Sequence, residues 1–212
     1  MTSKLTYFDQ TGLAEPIRLI LSFGGVEFID QRVSLDEWKE LKLRLPWPQL
    51  PVLEMEDKVY YQSKAICRFL AKRFNLCGKT EWEATLADIM VDMIYDFRSK
   101  VASYDHIKDP DERERLYPIV SNDLVPSYLE RFERHILSNG GYFVAGKVTW
   151  ADIVFLAFSC DVALMLGKDL VVDYPKLKLL QKKVANLPGI KEWLVAQGYF
   201  FNNRSRNSSF SN

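Results

Sequence analysis

The alternation of apolar and polar positions changes character about a third of the way along the chain. Before that point the apolar period switches about every ten residues, as it does when short strands and short helices alternate. Leu5-Thr6-Tyr7-Phe8 reads as a strand. Glu15-Pro16-Ile17-Arg18-Leu19-Ile20-Leu21 reads as a helix, with proline near its first turn and Gly24-Gly25 as its stop. Glu27 to Val33 is a second strand. Ser34-Leu35-Asp36-Glu37 then has the capping-box pattern, and the helix it opens through Trp38 and Leu41 must end before Pro46. Val52-Leu53-Glu54-Met55, a turn at Glu56-Asp57-Lys58, and Val59-Tyr60-Tyr61 form a hairpin. Ser63 caps a helix running to about Phe74. The order β-α-β-α-β-β-α is that of a small α/β unit.

Asn75 to Glu81 has no periodic pattern and reads as a linker; beyond it the strand signals vanish. Trp82, Leu86, Ile89, Met93, Phe97, Val101 and Tyr104 recur at steps of three and four, the spacing of one stripe on a long helix. A second helical segment runs from about Asp111 to Leu137 and should be bent or interrupted at Pro118 and Pro126. Thr149-Trp150-Ala151-Asp152 is another cap, with Val148 placed to staple onto Ile153. The helix it opens is apolar nearly all round, which predicts the buried centre of an all-helical second domain. Shorter helices follow Tyr174 and Pro188-Gly189, and the Ser/Asn-rich end from Tyr199 to Asn212 should fray.

Composition narrows the function. Lys plus Arg is 28 and Asp plus Glu is 28 among 212 residues, so there is no basic surplus for nucleic acid or for an anionic membrane surface. Cys67, Cys77 and Cys160 lack CxxC or zinc-ligand spacing, and His106 and His135 stand far apart, so no metal site is expected. The apolar stretch Ile153 to Leu166 is too short to span a bilayer. No h-region or cleavage pattern follows Met1, and the cysteines are unpatterned, which points to a reducing cytoplasm. The sequons at Asn203 and Asn207 are then chance matches.

No nucleophile elbow, P-loop, HExxH or dinucleotide fingerprint occurs. What remains is a set of polar groups near one end of the α/β unit. Leu50-Pro51-Val52 puts a proline just before a strand. A cis bond would turn the chain sharply and leave the Leu50 N–H and C=O outside the sheet; a trans proline opening an edge strand is the commoner case. Gln62-Ser63 precedes a helix whose N-terminus favours an anion, although a serine there is more often only a cap. Tyr7, read alone, is a core tyrosine with a tethered hydroxyl.

Taken together, Lys4-Leu5-Thr6-Tyr7-Phe8, Ala14-Glu15-Pro16-Ile17-Arg18, Leu50-Pro51-Val52-Leu53-Glu54, Gln62-Ser63-Lys64-Ala65-Ile66-Cys67-Arg68-Phe69-Leu70 and Val148-Thr149-Trp150-Ala151-Asp152 resemble a cytosolic glutathione transferase, nearest its sigma class and arthropod members. The resemblance runs from about residue 4 to residue 195. It implies a thioredoxin-like glutathione-binding domain over residues 1–78, an all-α domain over 82–212 that contributes the hydrophobic substrate site, and a homodimer. It implies an enzyme that joins the glutathione thiolate to hydrophobic electrophiles such as lipid peroxidation products, with peroxidase activity as a companion, in cytoplasmic detoxification. Glutathione is then a co-substrate, and no cofactor is required.

Residue by residue, the resemblance makes Tyr7 the hydrogen-bond donor to the glutathione sulfur and the catalytic residue. Trp38 and Lys42 would close over the glycyl end, and Leu50 before a cis Pro51 would pair with the cysteinyl backbone like an added strand. Gln49 stands where the family often has lysine. Gln62 and Ser63 would hold the γ-glutamyl carboxylate. Asp96, on one helix face with Asp88 and Asp92, would reach the glutathione of a partner subunit. Phe8, Leu13 and Tyr104 are the candidates for the electrophile side, each equally readable as core.

A free thiol of pKa about 8.5 is only about 3% thiolate at pH 7; lowering that pKa by about 2 units requires roughly 2.7 kcal/mol of selective anion stabilisation. One phenol donor and a helix N-terminus in a partly dry cleft are of the right order. Leu13, however, occupies a position where many sigma enzymes carry a supporting arginine, and Ser103 and its neighbours lack the tryptophan of the prostaglandin D synthase pocket. Conjugation is therefore expected ahead of prostaglandin isomerisation. The alternative on the same fold is a non-catalytic ligand binder or crystallin-like structural protein. Thioredoxin-type redox chemistry is disfavoured, since no cysteine follows the first strand.

Overall fold

A computed structural model describes residues 2–144 and 146–198; the tail from Tyr199 and both sequons lie outside the described residues. The first half forms β1 (Ser3–Phe8), α1 (Glu15–Phe23), β2 (Phe28–Val33), α2 (Leu35–Leu41), β3 (Val52–Met55), β4 (Lys58–Tyr61) and α3 (Ser63–Arg73), in the expected order. The strands make one mixed sheet of order β2-β1-β3-β4, parallel between β1 and β2 and antiparallel elsewhere. The hairpin turn is tighter than expected. Lys58 pairs with Met55, which leaves Glu56 and Asp57 as a two-residue turn with φ of 52° and 61°, the left-handed pair that suits the twist of a hairpin.

α1 and α3 pack together beneath the sheet, and α1 also meets the helical half. α2 buries no residue; its Ser34–Glu37 capping box is present, and it stands out as a local element joined to the end of β2.

The second half is helical: α4 (Glu81–Asp105), α5 (Pro110–Pro118), α6 (Val125–Ser138), α7 (Trp150–Leu166), α8 (Pro175–Ala185) and α9 (Ile190–Ala196). A π-helical turn over Ile119–Leu124 separates α5 from α6, between two prolines that cannot donate to the helical ladder. α7 is buried along almost its whole length, as its uniform apolarity requires, and packs on α1, α4 and α8. Asp152 accepts from the Thr149 N–H, the Thr149 hydroxyl and the Phe143 N–H, and so ties the start of α7 to the preceding loop.

One expectation for α4 is corrected. Trp82, Ile89 and Met93 are 68%, 40% and 48% exposed. The helix instead buries Ala87, Met90, Val91, Ile94, Phe97, Val101 and Tyr104. The expected stripe and the real one converge only from Phe97 onward. Upstream the sequence offers apolar residues on two adjacent faces, and the smaller Ala87 and Val91 permit the closer approach to α7.

Candidate active site

Strand register brings one set of loops together. Thr6 pairs with Val52, and Val52 with Tyr61. The residues next beyond those pairs, Tyr7, Leu50-Pro51 and Gln62-Ser63, therefore leave the same end of the sheet. β2, parallel to β1, ends there too at Val33, so α2 with Trp38 and Lys42 starts at that end.

The Tyr7 side chain is buried, and its hydroxyl oxygen accepts the Leu13 N–H at 3.2 Å. That bond needs Gly12. Its φ is +45°, and a Cβ there would lie 2.7 Å from the Tyr7 hydroxyl, closer than carbon and oxygen can stand. Gly12 is thus a site residue that pattern reading passes over, since glycine in a polar loop signals only a turn. The Phe8 ring meets the Tyr7 ring at 5.6 Å and the Trp38 ring at 5.9 Å.

The loop carrying Gly12 and Leu13 is fixed from below. Arg18, fully buried, donates to the Gln10 and Thr11 carbonyls and pairs with Glu15 and Asp30. The Thr11 hydroxyl donates to Asp161 on α7 at 2.7 Å, and Arg98 on α4 binds the other Asp161 oxygen at 2.9 Å. Asp161 could not be singled out from spacing, because it lies 150 residues from Thr11 and 63 from Arg98.

Leu50-Pro51 is a cis peptide, so the less common of the two sequence alternatives is the one present. β3 begins at Val52, which leaves Leu50 outside the ladder. The Gln62 amide donates to the Gln49 side chain at 2.9 Å, bringing those two candidates together. Gln62 has φ 69° and is itself the residue that precedes the helix, a strained backbone of the kind concentrated at functional sites and costing roughly 1–3 kcal/mol. Ser63 is accordingly the first residue of α3 rather than its cap, and it makes no capping bond. Its buried hydroxyl instead accepts from Tyr95 on α4 at 3.2 Å.

The remaining candidates are more dispersed. Lys42 is exposed at the end of α2, and Asp96 is exposed on α4. Asp88 and Asp92 are paired within the chain, with Arg68 and Lys64 of α3. Within the chain, the cationic face of α3 thus takes two of the three carboxylates that share this face of α4. Tyr104 is buried in a cluster with Tyr117, and the Arg113 guanidinium lies 5.1 Å from its ring. Burial pushes the Cys67 thiol up to about 12, which keeps it protonated and out of redox chemistry. A concavity of about 590 Å³ lined by Ser3, Met55, Glu56 and Arg73 opens at the opposite end of the sheet from Tyr7.

A small mixed sheet with a cis proline at the mouth, backed by a helical half, is the architecture of the glutathione transferases. Residues 3–72 match the glutathione S-transferase N-terminal domain, and residues 95–197 match the glutathione S-transferase C-terminal domain. The chain is 39% identical to glutathione S-transferase S1 of Drosophila melanogaster, over 90% of this chain and 76% of that protein. It is 36% identical to the hematopoietic prostaglandin D synthase of Mus musculus, over 91% of this chain and 94% of that one. Among solved structures, the prostaglandin synthase D of Nilaparvata lugens superposes with a TM-score of 0.87 at 39% identity, covering 92% of this chain and 98% of that chain. The chain belongs to the glutathione S-transferase family, and it is an enzyme of that family.

Proposed function

We propose that this enzyme is of the sigma class and joins the thiolate of glutathione to hydrophobic electrophiles. In this reading residues 1–78 bind glutathione and residues 82–212 supply the apolar acceptor side. The observation that carries it is the Tyr7 hydroxyl accepting the Leu13 N–H. A phenol whose oxygen is held this way keeps its own proton to donate, and a thiolate is the acceptor the site would offer it.

Glutathione would lie with its sulfur at Tyr7 and its cysteinyl backbone along Leu50 before Pro51. Gln49, Gln62 and Ser63 would surround the γ-glutamyl end, where the first turn of α3 favours a carboxylate. Trp38 and Lys42 would close over the glycyl end. The electrophile would sit against Phe8 and Leu13, with Tyr104 further along the same side. Displacement at an electrophilic carbon then forms the carbon–sulfur bond and expels the leaving group, or adds across an activated double bond. Lipid peroxidation products suit so apolar a wall, and peroxidase activity on lipid hydroperoxides would use the same thiolate.

Conjugation is preferred to prostaglandin isomerisation, because the exposed Ser103 donates its hydroxyl to the Ser99 carbonyl and supplies no aromatic wall. The protein would act as a cytoplasmic homodimer in detoxification, Asp96 reaching the glutathione held by the partner subunit. Capture on immobilised glutathione followed by a conjugation assay with an aryl halide tests this reading. Capture with turnover is expected. Capture without turnover would select the non-catalytic binder that Leu13, in place of a supporting arginine, keeps in view.

A further inference from the structure

A serine hydroxyl can donate or accept, and its environment decides which it offers to a ligand. Behind Ser63 stands Tyr95 of α4, whose hydroxyl donates to Ser63 Oγ at 3.2 Å. Tyr95 is only 8% exposed. Its ring meets Phe158 edge-on at 4.7 Å, and the Lys64 ammonium lies 5.3 Å from its centroid, so the phenol is held in one orientation. The buried Cys67 thiol lies against the same hydroxyl. Burial keeps both groups protonated at neutral pH, and Tyr95 therefore remains a donor.

We infer that Tyr95 is a positioning residue of the glutathione site: by filling the acceptor side of Ser63 Oγ it turns the Ser63 O–H outward and makes the site selective for a carboxylate. The inference rests on reading Ser63 as a holder of the γ-glutamyl carboxylate. A carboxylate offers only acceptors, whereas a carboxamide also presents N–H donors. A hydroxyl free to rotate would serve both ligands. One that is already accepting inside the protein is committed to donating outside, and linked donors in a dry setting strengthen one another. The inference gives Tyr95, which is buried behind Ser63, a share in choosing the substrate.

The test compares glutathione with its analogue bearing a carboxamide in place of the γ-glutamyl α-carboxylate. Tyr95→Phe removes the hydroxyl and keeps the ring. In steady-state conjugation with an aryl halide, KM for glutathione should rise about three- to tenfold, the span of one lost hydrogen bond, with the loss falling on KM rather than kcat. Binding of the carboxamide, followed by tryptophan fluorescence, should shift by less than about twofold, so the preference for carboxylate narrows. In a Ser63→Ala background, Tyr95→Phe should add nothing. Equal weakening of both ligands, or a further loss on top of Ser63→Ala, would mean that Tyr95 only supports the packing and would overturn the inference. A folded wild type that ignores glutathione would defeat the site reading itself. Wild-type binding, a loss in Ser63→Ala and no change in Tyr95→Phe would defeat the Tyr95 inference alone.

Discussion

The Tyr7 oxygen accepts the Leu13 N–H at 3.2 Å, and the catalytic role proposed for this side chain depends on the proton it still has to give. Tyr7→Phe should therefore bind glutathione nearly as well as the wild type, because contacts to the peptide supply the affinity. It should lose most of the conjugation rate, through about 2–3 kcal/mol of lost anion stabilisation. The ultraviolet absorbance of bound thiolate near neutral pH is the direct readout; unchanged turnover would remove Tyr7 from the mechanism. Leu13 is half-buried beside that hydroxyl. Leu13→Arg should raise the thiolate fraction by placing a cation near the sulfur. If the variant instead turns over the bulkiest electrophiles more slowly while small ones are unaffected, the leucine is a wall of the acceptor pocket. The sequence puts Tyr7 near the end of a strand and before a polar loop, but only the resemblance to the family singled it out as the proposed donor. Gly12 carried no such signal, because what requires it is the 2.7 Å approach a Cβ would make to the Tyr7 hydroxyl, and only the folded Tyr7 defines that.

Capping motifs made the helices easy to find, and the start of α7 shows what such a motif does once buried. Asp152 takes three donors in a setting with almost no water, and burial pushes its carboxyl up from 3.8 to about 6. Between those two values the folded chain holds a proton that the unfolded chain has released. The contribution of this group is therefore fully present below pH 4 and is lost as pH rises through about 6, a change of roughly 3 kcal/mol. Denaturant midpoints measured from pH 4.5 to 7 should show this decline in the wild type and a flatter profile in Asp152→Asn. Asp152→Ala should be worse than either, by about 2–4 kcal/mol, since it orphans the Phe143 and Thr149 N–H groups. A midpoint for Asp152→Ala equal to that of the wild type would show that water replaces the carboxylate. α4 was harder to read than α7. Its apolar residues cover two faces, and only contact with α7 selects between them.

The two halves are joined where the site needs rigidity. Asp161 links Thr11 of the loop under Tyr7 to Arg98 of α4, and the Trp150 N–H reaches back to the Leu76 carbonyl. The apolar side chains that α4 leaves outside, Trp82, Ile89 and Met93, recur on one face of that helix at steps of seven and four and support the proposed homodimer, since a partner that covered them would remove apolar surface from water. Sedimentation should find a dimer. Asp96→Asn should weaken glutathione binding by roughly 1–2 kcal/mol, as a charge-assisted bond to the ligand ammonium becomes a neutral one. It should leave the dimer intact, because one polar contact is small beside a subunit interface. A monomer that binds glutathione at full strength would return Asp96 to the role of a surface acid.

Local order was decided within a few residues. Ser34 with Glu37, Thr149 with Asp152, and the prolines at 16, 110 and 175 act inside one helical turn, so the linear chain states where those elements begin. The family's five segments likewise place Tyr7, Pro51 and Ser63 in order along the chain. Other features were settled only by packing. The face that α4 buries and the pairing of Asp88 and Asp92 with α3 depend on neighbours far away in sequence. So do the bonds from Thr11 to Asp161, 150 residues apart, and from Tyr95 to Ser63, 32 apart. A buried polar group must find a partner, and which one it finds is fixed when two surfaces close on each other; no spacing along a chain carries that information.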